Sequence, residues 1–327
     1  MSVGVLLALV LLAFAVGRFP VAPGDLVAVL WSKLSGGPHG RPPEIETVLF
    51  RVRGPRVLAA LAVGATLAAA GAAYQGLFRN PLVSPDILGA SSGAALGAVL
   101  GIYWSLGVVG IQALAFGVGL VAVAVVYAIG ISLRREDPIL TLVLAGVVIG
   151  TLLGSCVSLL KYLADPYNQL PAITFWLLGS LTAITLADLG AVLPAVLAGA
   201  VPLVLLRWRM NLMTLPEDEA RALGVDTGRM RLGVVAAATL MTAAVVSVSG
   251  IVGWIGLLVP HFARLLVGPD FGRLLPVAML LGAGYLLGVD TLARKLARIE
   301  IPLGVLTAFI GTPFFIWLLA TSRRGWR

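Results

Sequence analysis

The run ILGASSGAALGAVLGIYWSLGVVGIQALAFGVGLVAVAVVYAIGISL, from Ile87 to Leu133, is 47 residues long and contains no Asp, Glu, Lys or Arg. About 20 apolar residues cross a bilayer as a helix. The run therefore holds two crossings, and its Gly-rich break near Gly107 and Gly110 is where the chain turns back. A charge at the bilayer centre is expensive, so the same test of charge-free length extends along the chain. It selects residues 1–17, 57–78, 138–160, 166–187, 189–206, 232–263, 274–289 and 301–322. The stretch 232–263 is too long for one span and short for two. Ser249 and Gly250 divide it into a full helix to about Val248 and a shorter one beyond. Residues 166–187 open with Asp165–Pro166 and contain Pro171, so they form a loop and a short interfacial helix. The chain thus reads as an all-α polytopic membrane protein with ten crossings in a single transmembrane domain, residues 1–327.

Composition excludes most other classes. The 327 residues are 59% hydrophobic and 12% charged, with a mean hydropathy of +1.03; soluble domains carry about 25% charged residues. No large soluble catalytic domain fits. The single Cys156, inside an apolar run, rules out a disulfide framework and a multi-cysteine metal site. None of Lys33, Lys161 and Lys295 follows a glycine, so there is no phosphate-binding G-x-x-x-x-G-K loop. His39 and His261 lie far apart with no carboxylate cluster, and no Gly-x-Ser-x-Gly elbow occurs. No catalytic residue, metal ligand or cofactor is assigned to the chain. Asp86, Asp188 and Asp290 fall at span ends rather than inside them, which disfavours an ion-coupled secondary transporter, the alternative of a different class. Small residues at every fourth position (Gly64, Ala68, Ala72; Gly89, Gly93, Gly97) read as close helix packing.

An even number of crossings puts both termini on one side, and the tail Arg323, Arg324 and Arg327 makes that side cytoplasmic. Residues 1–17 lack a basic leader and an evident small-residue cleavage site, and so form a retained first helix. The other basic residues show only a weak inside bias, because the outside ones gather in residues 18–56 and 294–298. The external segment 18–56 opens with an amphipathic helix from Pro23–Gly24–Asp25 to about Leu34 and ends in Arg51, Arg53, Gly54, Pro55 and Arg56. Those arginines suit either lipid phosphates or the carboxylates of an acidic partner. The internal loop, residues 207–231, is different in kind. Thr214-Leu-Pro-Glu217 reads as a capping box, Glu217 and Arg221 form an i,i+4 pair, and Gly224 stops the helix. The result is a short capped helix along the membrane that presents Glu217, Asp218 and Glu219 for a partner to grip.

Several segments in order carry a resemblance: Arg53-Gly-Pro-Arg56 into the second span; Gln75-Gly-Leu-Phe-Arg79-Asn80-Pro81-Leu82; Pro85-Asp86-Ile-Leu-Gly89; Trp176-Leu-Leu-Gly179; Glu219-Ala-Arg221-Ala-Leu-Gly224. The longest is Gly253-Trp-Ile-Gly256-Leu-Leu-Val-Pro260-His261-Phe-Ala-Arg264-Leu-Leu-Val-Gly268, followed by Asp290 to Arg294, Ile301-Pro302-Leu-Gly304 and Gly311-Thr-Pro313-Phe314. From about Arg53 to the C-terminus the chain resembles the FecCD-type permeases, the membrane subunits of type II ABC importers for iron-siderophores, haem and cobalamin.

The resemblance implies a homodimer in a bacterial or archaeal cytoplasmic (inner) membrane, with ten helices per subunit and the translocation path at the dimer interface. Helices two to five and seven to ten would form an inverted repeat. Two ABC ATPase subunits, which hold ATP and Mg, bind on the cytoplasmic side; one periplasmic or lipid-anchored binding protein docks outside. Membrane lipid surrounds the chain, and nucleic acid has no part. Arg53, Arg56 and Arg294 match binding-protein docking positions. Thr214, Glu217, Asp218, Glu219, Arg221, Leu223 and Gly224 match the ATPase coupling element, with Pro216 as a departure. Asn80, Leu82, Ile139 and Leu140 match a cytoplasmic gate, and His261 and Arg264 are expected to cap helix-end carbonyls. The implied cargo is an iron chelate, siderophore or haem, with cobalamin and molybdate as alternatives.

Overall fold

The computed structural model describes residues 3–17, 19, 21–37, 40–133, 138–297 and 299–321. The expectations placed on His39 and on the tail arginines Arg323, Arg324 and Arg327 lie outside the described residues. Fifteen α-helices and no strand occur among the described residues. α1 (Val3–Ala15), α2 (Pro23–Ser35) and α3 (Pro43–Thr47) lead through a π-helical turn, Val48–Arg53, into α4 (Gly54–Leu77). A 3-10 turn, Pro85–Leu88, precedes α5 (Ala90–Tyr103), α6 (Val108–Ser132) and α7 (Pro138–Leu163). Then follow α8 (Gln169–Leu178), α9 (Leu186–Leu205), α10 (Arg207–Leu212), α11 (Glu217–Ala222) and α12 (Thr227–Ser249). α13 (Ile255–Val267), α14 (Phe271–Ala293) and α15 (Leu303–Thr321) complete the chain.

Among the described residues, six helical stretches are long and apolar enough to cross a membrane: Pro43–Leu77, Val108–Ser132, Ile139–Leu163, Leu186–Leu205, Thr227–Ser249 and Phe271–Ala293. α1, α5, α8, α13 and the Leu303–Trp317 part of α15 are apolar but shorter. At 1.5 Å per residue the 14 residues of α5 reach about 21 Å, short of the roughly 30 Å hydrocarbon core. The turn in the 47-residue run falls at 104–107, slightly before the expected glycines, since Gly110 lies inside α6. The 250–254 link divides α12 from α13 where Ser249 and Gly250 mark it. α8 is the expected short helix. Charge-free length misplaces the ends of α14, which extends past Arg273 and Asp290 at both ends because those charges have partners within the protein.

α4 and α12 occupy the middle. α4 packs on α12, α13 and α14, while α12 packs on α4, α5, α6 and α9. The leading helix of each expected repeat therefore meets the second and third of the other. Glycine makes the closest crossing possible. A Cβ on Gly64 would lie 2.2 Å from the Gly282 carbonyl oxygen, and one on Gly282 would lie 2.3 Å from that of Gly64. Gly93 and Gly97 bring α5 onto α6 in the same way. Gly89 does not belong to that face, contrary to the four-residue spacing: it is the left-handed cap before α5, φ +85°, with open space around it.

Pro55 explains the π turn. Proline in a continuous helix clashes with the carbonyl four residues back and offers no N–H, and the preceding turn widens so that the Gly54 amide reaches the Leu49 carbonyl five residues back. In the described part of the external segment, Val21, Leu26, Val29, Ile45 and Leu49 form a core of their own. Gly64→Val should cost about 1–3 kcal/mol through overpacking and lower the melting temperature of the purified protein. Gly117→Val, at a glycine with nothing near its Cβ position, should leave it unchanged.

Candidate functional site

Two clusters stand at opposite ends of the α4–α14 pair. At the first, α1 stops at Ala15 and leaves C-terminal carbonyls without helical partners. The Arg53 guanidinium donates to the carbonyls of Phe14 and Phe19. Arg294, at the end of α14, donates through Nη1 to Val16 at 3.3 Å and Ala13 at 3.4 Å. Arg56 donates from Nε to Asp290 Oδ1 at 2.8 Å and from Nη1 to Glu300 Oε2 at 2.9 Å. Arg294 Nε stands 3.3 Å from Asp290 Oδ2.

Arg53, Arg56 and Arg294 are 4%, 7% and 7% exposed, and Asp290 is sealed at 0%. Arg53, Arg56 and Arg294, expected at a docking face, are turned inward and bonded within this chain. Two carboxylates face three guanidiniums, and the negative end of α1 supplies the remaining compensation. Arg51 alone of the arginines at 51–56 is exposed. Asp290 reads from the sequence as a span-end acid and Glu300 goes unmarked there, yet the i,i+4 spacing of Asp290 and Arg294 is a helix ion-pair signature. Removing one partner of a buried ion pair costs about 3–5 kcal/mol, so Asp290→Ala should destabilise the protein far more than Glu300→Ala in a thermal melt.

At the other end, α11 is clamped rather than capped as expected. Thr214 is not its N-cap; its hydroxyl donates to the Asn211 carbonyl at 2.6 Å. Pro216 stands at the N-cap without a side-chain bond, so the helix begins two residues later than the Thr214–Glu217 spacing implied. The i,i+4 pair holds, with Arg221 Nη2 at 2.7 Å from Glu217 Oε1. Glu217 also accepts from Thr227 Oγ1 at 2.9 Å and from Arg231 at 3.5 Å, which fastens α11 onto the start of α12. Gly224 turns the chain with φ +83°. Asp218, Glu219, Leu223 and Gly224 are left exposed.

Burial would raise the Glu217 carboxyl, but the Thr227 hydroxyl and the Arg231 and Arg221 guanidiniums outweigh it and hold it below its ordinary 4.5. A carboxylate held low contributes stability above its unfolded value, and that contribution is lost as pH falls through the lower folded value. Amide protection of residues 220–223 should therefore persist at pH 5 and decline as pH falls below the ordinary 4.5 towards the lower folded value. Glu217→Ala should abolish it at neutral pH, both read by hydrogen exchange.

The gate candidates lie at this same end. Asn80 Oδ1 accepts from the Leu82 amide at 2.9 Å, and Leu82 is exposed. Ile139 and Leu140 form the first turn of α7; Ile139 lines one small cavity with Arg79, Leu215, Glu217 and Thr227. Arg79 donates to the Leu215 carbonyl at 3.2 Å, joining the turn after α4 to the loop before α11. Arg264 does not cap carbonyls itself. It donates to Gln75 Oε1 at 3.1 Å, and Gln75 Nε2 reaches the carbonyls of Leu257 at 3.0 Å and Gly256 at 3.4 Å. Pro260, lacking an N–H, leaves the Gly256 carbonyl without its helical donor, and Gln75 fills the gap.

An apolar cleft of about 670 Å³ opens between the end of α8, the α12–α13 link and α15, lined among others by Leu178, Trp254, Val305, Phe309 and Thr312. Trp254 is held at φ +71°, an uncommon left-handed conformation for a bulky residue, with its ring edge-on to Phe315 at 6.2 Å. No group of three or more His, Cys, Asp or Glu that could hold a metal occurs among the described residues.

The site thus belongs to a bundle of apolar helices of membrane-crossing length with an exposed, clamped helix at one end. The FecCD transport family model matches residues 5–321, and the chain belongs to that family, the permeases of type II ABC importers. It is 39% identical to the molybdate import system permease protein MolB of Haemophilus influenzae, over 96% of this chain and 92% of that one. It is 42% identical to the cobalamin import system permease protein BtuC of Halobacterium salinarum, over 86% and 75%. The solved structure "An inward-facing conformation of a putative metal-chelate type ABC transporter" superposes with TM-score 0.86 at 37% identity, covering 97% of this chain and 96% of that one. The protein is a transporter subunit integral to the inner membrane, in a family whose members associate with an ABC ATPase and a substrate-binding protein.

Proposed function

We propose that two copies of this chain frame a path through which an iron chelate, siderophore or haem, passes inward by alternating access, driven by ATP and Mg on two separate ATPase subunits. Each copy would cross the membrane ten times, the four shorter helices α1, α5, α13 and α15 completing the six long ones, with both termini cytoplasmic. The observation that carries the reading is α11. A six-residue helix is too short to persist alone, yet Glu217 fixes it to α12 and leaves Asp218, Glu219, Leu223 and Gly224 outward. That is what a part pushed by a partner requires. Asn80, Leu82, Ile139 and Leu140, at the same end, would form the cytoplasmic gate.

The arginine end is then external and meets the binding protein. Arg53, Arg56 and Arg294 would serve docking by fixing the ends of α1, α4 and α14 into one frame with a surplus positive charge, to which an acidic surface is drawn. Relatives named for molybdate and cobalamin make those cargoes the second choice for the same machine. In proteoliposomes holding the assembled complex, uptake should require ATP and proceed without an ion gradient. Uptake driven by a gradient without nucleotide would instead establish a secondary carrier. Glu217→Ala combined with Arg221→Ala should release the ATPase during purification and abolish uptake; an intact, active complex overturns the coupling assignment.

A further inference from the structure

Glu300 differs from Asp290 in being reachable. Its side chain is 26% exposed, whereas Asp290 is sealed beneath Arg56 and Arg294. One Glu300 oxygen, Oε2, accepts from Arg56 Nη1 at 2.9 Å and from Thr182 Oγ1 at 2.8 Å. Thr182 belongs to the turn between α8 and α9, where its hydroxyl meets Ser180 Oγ at 2.8 Å. The Ser180 amide donates to the Ser249 carbonyl at 2.8 Å, and the Gly179 carbonyl accepts from Leu303, the first residue of α15, at 3.0 Å. Leu178, Gly304 and Val305 beside these bonds line the apolar cleft. A single carboxylate oxygen thus ties two walls of the cleft to the first turn of α4.

The charges around it are uneven. Among the described residues, Arg53 donates to carbonyls, and the guanidiniums of Arg53, Arg56 and Arg294 stand with the carboxylates of Asp290 and Glu300. A further carboxylate arriving from outside is favoured there, and only the Arg56–Glu300 contact is open to exchange, because the other carboxylate is closed off. We propose that Glu300 is an internal stand-in for an acidic group of the docking partner. In the free permease it occupies Arg56 and holds the 179–182 turn and the start of α15 in place. A partner carboxylate takes its position on Arg56, and the released Glu300 frees both cleft walls to move. This rests on the docking reading above, and makes Glu300 a positioning residue that couples docking to the cleft.

Glu300→Gln keeps the shape and an acceptor for Thr182 but removes the competing charge. In nanodiscs with the ATPase at low salt, the variant should bind the substrate-binding protein at least about fivefold more tightly, since close interfacial charge pairs couple by several kcal/mol, with its melting temperature retained. Unchanged or weaker docking by a folded variant overturns the stand-in role, as a merely structural contact would give that result. A second arm needs no partner. Spin labels at Leu186→Cys and Ile299→Cys, in a Cys156→Ser background, should give a narrow distance distribution that broadens with Thr182→Val, which leaves Arg56–Glu300 intact. A distribution that stays narrow overturns the tether. If the unaltered permease fails to bind the binding protein while the label arm broadens, the docking reading and the stand-in fall together and the tether stands.

Discussion

The contact between the backbones of Gly64 and Gly282 is what the rest of the structure is arranged around. With no Cβ on either side, α4 and α14 touch carbonyl to backbone, and nothing can slide between them without a clash. The pair is pinned again at each end. Arg56 and Asp290 close it at one end, at 2.8 Å. At the other, Asn211 of α10 donates to Asp270 at 2.6 Å and accepts from the Phe271 amide at 2.7 Å, while Arg79, just past α4, holds the Leu215 carbonyl. One rigid double rod therefore runs from the arginine cluster to the loop that carries α11.

Much of this architecture was legible in the sequence, because a bilayer makes charge and backbone polarity so costly. Charge-free length located the helices, and serine and glycine marked the breaks near 104–107 and at 250–254. The short α8 and the amphipathic α2 followed from proline and from apolar spacing. What escaped detection was pairing across long separations. Arg56 and Asp290 stand 234 residues apart, and nothing local says that they meet. A reading that treats each arginine by itself offers it to lipid or to a partner, whereas the structure pairs Arg53, Arg56 and Arg294 within the chain. Thr214 failed for a smaller reason: Pro216 resets the helix start, a two-residue shift that decides which side chain can cap.

The candidate site was legible in its location and less so in its mechanics. Glu217 and Arg221 announced themselves by spacing, but the bonds to Thr227 and Arg231 come from a helix whose start had been placed five residues later, at Leu232. Gln75 carried no signal except Pro260, whose missing N–H requires a donor for the Gly256 carbonyl. Buried polar groups in a membrane protein must be satisfied from within, so a proline inside a short helix is a reason to look for a glutamine elsewhere.

Where movement can occur follows from the same contacts. α4, α12 and α14 are enclosed, and Gly64, Gly71 and Gly97 leave no slack for small displacements. Packed interfaces of this kind are bistable rather than continuously deformable. α7, α9 and α15 instead turn large apolar faces outward, including Leu144, Val148, Leu152, Leu193, Leu197, Phe309 and Ile316. On their inward sides α7 and α9 are held closely, with Gly146 against the Ile87 carbonyl and Gly199 against the Ala237 carbonyl, whereas α15 packs more lightly, chiefly on α14, α13 and α8. Thr151, Ser155 and Ser158 on the outward side of α7 satisfy their hydroxyls on their own helix, at 2.8–3.0 Å. That face can exchange lipid, water or another protein surface without losing an internal hydrogen bond. The inward side of these helices is fixed by glycine contacts and the outward side, among the described residues, by nothing within the chain, so what covers the outward side decides how they are held.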